Sequence, residues 1–182
     1  IGRFVDSRTS SSVLRLDTRT GRATSLTFKN PGEVSGWAID SKNQVRGALR
    51  VEPRESADAP RKRSLWVRAT GDGDWEKIHE SGDELEALLP LAFDTDDKTL
   101  IVSSRAGGDR SALYRFDIAT RKLGEKLFEH PWLDINGGLV RHPKTQAVLG
   151  VRYSAEVPRT HWFDETYAAL QKAVDSALTS TT

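Results

Sequence analysis

The sequence contains no cysteine. Disulfides and thiol chemistry are therefore excluded, and the redox compartment is left unidentified. No apolar run approaches the roughly 20 residues that cross a bilayer, and nothing at the start resembles a secretory signal. A soluble chain with no membrane partner is the expectation. The first residue is Ile1 rather than Met, so the chain is expected to be a piece of a longer protein. Neither sign of charge dominates: 27 Lys and Arg stand against 26 Asp and Glu, for a formal net charge of +1. The two signs are interspersed, which argues against a nucleic-acid partner. The densest basic run, Arg61-Lys62-Arg63, follows Glu-Ser-Ala-Asp-Ala-Pro and reads as a solvated loop between strands.

Catalytic motifs are missing as well. A serine hydrolase on an α/β scaffold needs Gly-x-Ser-x-Gly, because the nucleophile sits on a strained strand-to-helix turn with room for close backbone approach. The nearest strings, Gly32-Glu-Val-Ser35-Gly36 and Gly107-Gly-Asp-Arg-Ser111, have other spacings and fall in strand or hairpin contexts. Neither Ser35 nor Ser111 is expected to be a nucleophile. His79, His130, His142 and His161 lie far apart, without the short-spaced pair of a zinc site, and His130-Pro131 and His142-Pro143 read as turns. Asp94-Thr-Asp96-Asp97 lacks the Gly and the distal Glu of a calcium loop and reads as an Asp-rich turn. Glu80-Ser-Gly-Asp83-Glu84-Leu-Glu86 reads as a solvated connection, although it could offer carboxylates to a peptide amino group. No catalytic, cofactor-binding or metal residue is assigned from the sequence, no cofactor is expected, and residues touching a substrate stay unassigned.

What is present is a repeat. Leu113 to Phe128 reads as a strand, a tight turn and a returning strand, and Leu14 to Leu26 is its near copy, with Asp17 and Thr20 at the places of Asp117 and Thr120. Leu65 to Ile78 is a third version, which gives a period of roughly 50 residues, the range of propeller blades. Asp at the head of each turn is expected to accept backbone N–H groups two or three residues on. Gly21, Gly71 or Gly73 supplies positive φ, with Arg121 standing in for glycine in the last copy.

A second unit alternates with the first. An apolar strand ending in Asp, a turn and another strand occur at Val34–Val51, at Leu88–Ser104 and again at Gly137–Tyr153. Together the two units make a four-stranded sheet. The expected fold is all-β, a partial β-propeller of four-stranded antiparallel blades with a C-terminal amphipathic α-helix. The expected divisions are a half blade at 1–30, blades at 32–80 and 85–129, a half blade at 133–163 and a helix at 164–178. A short strand within Ile1–Arg8 and a polar turn at Thr9–Ser12 open the chain. Trp66, Tyr114 and Phe116 are expected in the core between blades rather than on a ligand platform. Phe163, Tyr167, Leu170, Val174, Ala177 and Leu178 mark one helix face behind an Asp164 N-cap, and that face is expected to pack on the blades.

Taken together, Asn30-Pro-Gly-Glu33, Leu65-Trp66-Val-Arg68, Leu91-Ala-Phe-Asp94, Ala112-Leu-Tyr-Arg-Phe-Asp117, Gly150-Val-Arg-Tyr153 and Thr160-His-Trp-Phe-Asp164 resemble a family. It is the amino-terminal β-propeller of bacterial prolyl oligopeptidase-family serine peptidases, the dipeptidyl-peptidase and acylaminoacyl-peptidase-like group. The resemblance implies a noncatalytic segment that gates peptide substrates into a C-terminal α/β-hydrolase domain absent from this chain, its partner in the parent protein. A free-standing propeller-like module that binds a protein or peptide is the alternative. Open strand edges at the two ends lead us to expect self-association, or closure of the end strands on each other.

Overall fold

The computed structural model describes residues 2–5, 11–83 and 85–179. The chain divides into two compact units, Ile1–Asn136 and Gly137–Thr182. In the first unit, β1 (Gly2–Val5), β2 (Ser11–Leu16) and β3 (Ala23–Ser25) form a three-stranded sheet in that order. Next come β4 (Val34–Ile39), β5 (Val45–Val51), β6 (Arg63–Val67) and β7 (Glu76–Glu80), a four-stranded sheet ordered as in the chain. The same arrangement recurs in β8 (Leu89–Phe93), β9 (Thr99–Ser104), β10 (Ala112–Asp117) and β11 (Lys122–Phe128). Every pairing is antiparallel. Consecutive four-stranded meanders that pack face to face are propeller blades. Of the expected polar turn at Thr9–Ser12, Thr9 and Ser10 lie outside the described residues, while Ser11 and Ser12 belong to β2.

The turns explain the repeated letters. Asp17 Oδ1 accepts the N–H groups of Arg19 and Thr20 at 2.8 and 3.3 Å, and Asp117 Oδ1 accepts that of Thr120 at 2.6 Å. These backbone donors hold both carboxyls below the ordinary aspartate range. Gly21 has φ 71°, and Arg121 takes φ 56° at the matching place. Gly71 and Gly73 differ from expectation, since neither has positive φ. Space is what each of them supplies: a Cβ at Gly71 would stand 3.2 Å from Gln44, and one at Gly73 3.0 Å from the Thr70 hydroxyl.

The core of this unit lies between the two four-stranded sheets. Period-two alternation puts Ala38, Leu65, Val67 and Ile78 of one sheet against Leu100, Val102, Tyr114 and Phe116 of the other, with Phe93 and Leu88 closing the edge. Fully burying one such side chain is worth about 1.5–3 kcal/mol. Backbone and backbone meet closely at the inner strands, where a Cβ on Gly47 would fall 2.8 Å from that of Ala38. Trp66 departs from expectation: it lies half-buried on the opposite face, its Nε1 donating to Ser64 Oγ at 2.7 Å. The strand period explains this, because Leu65 and Val67 take the core side.

In the second unit β12 (Leu139–Arg141), β13 (Val148–Ser154) and β14 (Pro158–Trp162) form a three-stranded antiparallel sheet, followed by α1 (Glu165–Thr179). Asp164 caps α1, accepting from the N–H groups of Thr166 and Tyr167 at 2.9 and 3.1 Å. Within the second unit the helix lays only the start of its apolar face, Tyr167, on its own sheet. Leu170, Val174 and Leu178 are 58%, 45% and 66% exposed. Its cap and a stack of Tyr167 on Trp162, with ring centroids 5.4 Å apart, set its rotation instead, so that Gln171, Lys172 and Asp175 flank β14.

Candidate functional site

The polar chemistry of the first unit gathers at the junction of its two four-stranded sheets. The β4–β5 and β8–β9 turns repeat one geometry, with Asn43 at φ 61° and Asp97 at φ 54°, a region that Asn and Asp tolerate better than most residues. Asp97 reaches across the junction: Oδ1 accepts from Ser41 N at 2.9 Å and Oδ2 from Ser41 Oγ at 2.8 Å. From the same side Arg46 donates to the Asp97 carbonyl at 3.2 Å and to the Arg68 carbonyl at 3.0 Å. Its guanidinium lies 3.5 Å from Asp40, which is 2% exposed, and 4.7 Å from the centre of the Phe93 ring. Asp40 Oδ1 also takes the N–H groups of Lys42 and Gln44 at 3.0 and 2.8 Å, so each member of this buried ion pair holds further hydrogen bonds.

Arg68 is 4% exposed. It donates to the carbonyls of Val45 at 2.7 Å and Leu26 at 3.3 Å, and it sits 4.5 Å from the centre of the Trp75 ring. Burial pulls its pKa down, opposed by the charge of Asp72, yet a guanidinium starts so high that it stays charged. Beside these arginines opens a cavity of about 420 Å³ lined by Arg46, Val67, Arg68, Asp74, Glu76 and Ile118 among others. The sequence reading missed Arg46 and Arg68. In the sequence each follows a strand valine and breaks an apolar stretch, a pattern that does not separate a buried arginine from a solvent-facing one.

A second groove of about 320 Å³ runs along the same sheet junction, lined by His79, Glu80, Glu86, Leu88, Phe116 and Leu123 among others. Desolvation pulls the His79 imidazole below its ordinary pKa, partly offset by the charge of Glu80. The acidic connection considered for a peptide amino group is largely committed elsewhere. Glu80 binds Lys77 Nζ at 2.6 Å, which lowers its pKa, and Asp83 Oδ1 accepts the N–H groups of Leu85 and Glu86 at 2.7 and 3.1 Å. Glu84 lies outside the described residues. Glu86 is a second exposed carboxylate of this groove beside the ion-paired Glu80.

The other candidates fall into structural roles. Ser35 Oγ donates to the Leu49 carbonyl at 3.4 Å and accepts from Arg63 at 3.1 Å. Ser111 N donates to Asp134 Oδ1 at 2.6 Å. His130 and His142 use Nδ1 as a turn acceptor, for Trp132 N at 3.3 Å and for Lys144 N and Thr145 N at 3.3 and 3.1 Å. Asp96 closes its own turn on Lys98 N, Thr99 N and Thr99 Oγ1, while Asp97 makes the clasp on Ser41. Among the described residues no three His, Asp or Glu side chains are grouped to hold a metal ion. No helix among them is long and apolar enough to cross a membrane.

No protein-family model matches the chain. It is similar to dipeptidyl aminopeptidase BIII of Pseudoxanthomonas mexicana, at 26% identity over 151 residues, covering 82% of this chain and 20% of that protein. The chain thus spans about a fifth of the length of that relative. Among solved structures it resembles the β-propeller domain of the Trilobed protease from Pyrococcus furiosus, which shows an open velcro topology. That likeness has a TM-score of 0.43 and 12% identity, over 88% of this chain and 47% of the other. What the sequence match shows is a likeness to one part of a dipeptidyl aminopeptidase.

Proposed function

We propose that this chain is a noncatalytic propeller segment of a serine peptidase of the prolyl oligopeptidase family, and that it gates the access of peptides to an α/β-hydrolase domain outside this chain. The observation that carries the reading is the match to the aminopeptidase, which extends over 82% of the chain and therefore through its run of antiparallel sheets. Stacked rigid blades suit a filter, because close-packed sheets deform little and a fixed opening passes extended peptides while excluding folded substrates. The partners on this reading are the hydrolase domain and its peptide substrates. Open sheet edges at β1 and β14 add a tendency of the isolated chain to self-associate.

The test is fluorophosphonate labelling of the product of the intact reading frame beside the 182-residue chain. Labelling of the first and not of the second is the expected result. Absence of label from both would sink the peptidase reading in favour of a binding module, and label on the short chain would sink its noncatalytic assignment. Sedimentation of the short chain over a range of concentrations tests the edges, and a monomer throughout would refute self-association.

A further inference from the structure

The cavity of about 420 Å³ at the junction of the two four-stranded sheets has a guanidinium set between its walls. Arg46 Nε donates to the Arg68 carbonyl at 3.0 Å and Nη1 to the Asp97 carbonyl at 3.2 Å. Arg68 follows β6 and Asp97 stands in the β8–β9 turn, and both line the cavity. The Arg46 fork therefore bridges two lining residues, one from each sheet. Its third nitrogen, Nη2, has no acceptor among the described residues, and it is not enclosed by protein, since 14% of the side chain stays exposed. The pairing with Asp40 is loose. One Asp40 oxygen is 3.5 Å from Nη1, and the other is held by two N–H groups. A guanidinium left with a free nitrogen in a recess of low dielectric attracts a carboxylate.

Val67, Ala69, Ile118 and Ala119 give the same cavity an apolar lining, and its volume falls in the range of small-molecule sites, about 300–1,000 Å³. The exposed part of the lining is acidic. Asp74, Glu76 and Asp117 stand there against a single exposed ammonium, that of Lys98. Glu76 is taken by Arg121, and Asp117 Oδ1 by the N–H and hydroxyl of Thr120. Asp74 holds no side-chain hydrogen bond or ion pair among the described residues, so it is the carboxylate most open to a ligand. The cavity thus offers a cationic donor, apolar walls and an acidic opening.

We propose that this cavity binds a small zwitterion with an apolar body, a free amino acid of the phenylalanine or leucine kind. Its carboxylate accepts from Arg46 Nη2, its side chain lies against Val67 and Ile118, and its ammonium meets Asp74. Charge complementarity selects this class. A plain hydrocarbon would leave Nη2 without an acceptor, a simple anion would meet three carboxylates at the opening, and a simple amine would bring a cation towards Arg46. The inference concerns the first unit alone and stands or falls independently of the peptidase reading.

The experiment titrates the 182-residue chain with phenylalanine, phenylpropionate and phenethylamine, which share a ring and differ in their charged ends, and follows backbone amide shifts by NMR. Shifts are expected at Val67, Ala69 and Ala119. Phenylalanine should bind about tenfold more tightly than phenethylamine, the scale of one charge-assisted hydrogen bond. Its advantage over phenylpropionate should be smaller, about threefold, because Asp74 is exposed to water. Asp74→Asn should erase that second difference and leave phenylpropionate no weaker. Arg46→Gln should bring phenylalanine down to the level of phenethylamine. Shifts confined to other residues, equal binding of phenethylamine and phenylalanine, or equal loss of phenylalanine and phenylpropionate in the Asn variant would each overturn the proposal. The three ligands on the unsubstituted chain decide the matter even if Arg46→Gln fails to fold.

Discussion

Two packing arrangements in this molecule contrast sharply. Between the two four-stranded sheets, apolar side chains meet on both sides and a polar clasp from Asp97 to Ser41 seals the rim. At the C-terminal end, α1 meets its sheet at a stack of Tyr167 on Trp162 and leaves Leu170, Val174 and Leu178 exposed. Both segments show an apolar period in sequence, so the period alone does not decide what is buried. The first arrangement is enforced by two complementary surfaces, and the second is set by a cap and a ring that fix the helix before its apolar stripe finds a partner.

Substitutions separate the two cases. The largest effect is expected from Phe116→Ala, at a side chain 1% exposed, which should cost about 3–5 kcal/mol through lost transfer energy and the cavity left behind. Urea unfolding measures it, and a loss under about 1 kcal/mol would mean that the junction is not the main core. Asp97→Ala comes next, at about 1–3 kcal/mol, because two Ser41 donors lose their acceptor. If it behaves like a surface substitution, the clasp is decorative.

A smaller, pH-dependent effect belongs to His79. Burial lowers its pKa from the ordinary 6.5, so the unfolded chain takes up this proton first as acid is added. Stability from this residue is complete above the unfolded value and is lost as pH falls from there through the folded pKa. The urea midpoint of the native chain should decline over that window, and His79→Gln should flatten the decline. His161, whose pKa burial also lowers, should keep part of it. An unchanged slope in the Gln variant would locate the titration elsewhere. Least of all should Leu170→Ser change, by no more than about 0.5 kcal/mol. A drop comparable to that of Phe116→Ala would show that the exposed stripe is covered in solution.

Much of the architecture was legible because its turns are chemical. Asp17, Asp117 and their threonines fold the same local reversal wherever they occur, and the alternation of Tyr114 and Phe116 points to one face without further context. The placement of α1 was not legible, because the sequence shows which residues share a helix face and says nothing of the rotation that Tyr167 imposes by stacking on Trp162. Arg46 and Arg68 were missed for a related reason. An arginine in or beside a strand reads as solvent-facing until carbonyls meet it, that of Arg68 at Arg46 and those of Val45 and Leu26 at Arg68, and such convergence is a property of three dimensions. The cavity beside them was invisible on the same grounds.

The near-contact of Gly47 with Ala38 sets limits on how this protein can vary. Where a single added methyl group would collide at 2.8 Å, the inner strands have no room for drift, while the charged outer strands can exchange almost any residue that keeps its polarity. A lineage built on such a plan accumulates change from the rim inward. Two members could then share few letters and still superimpose along their central strands.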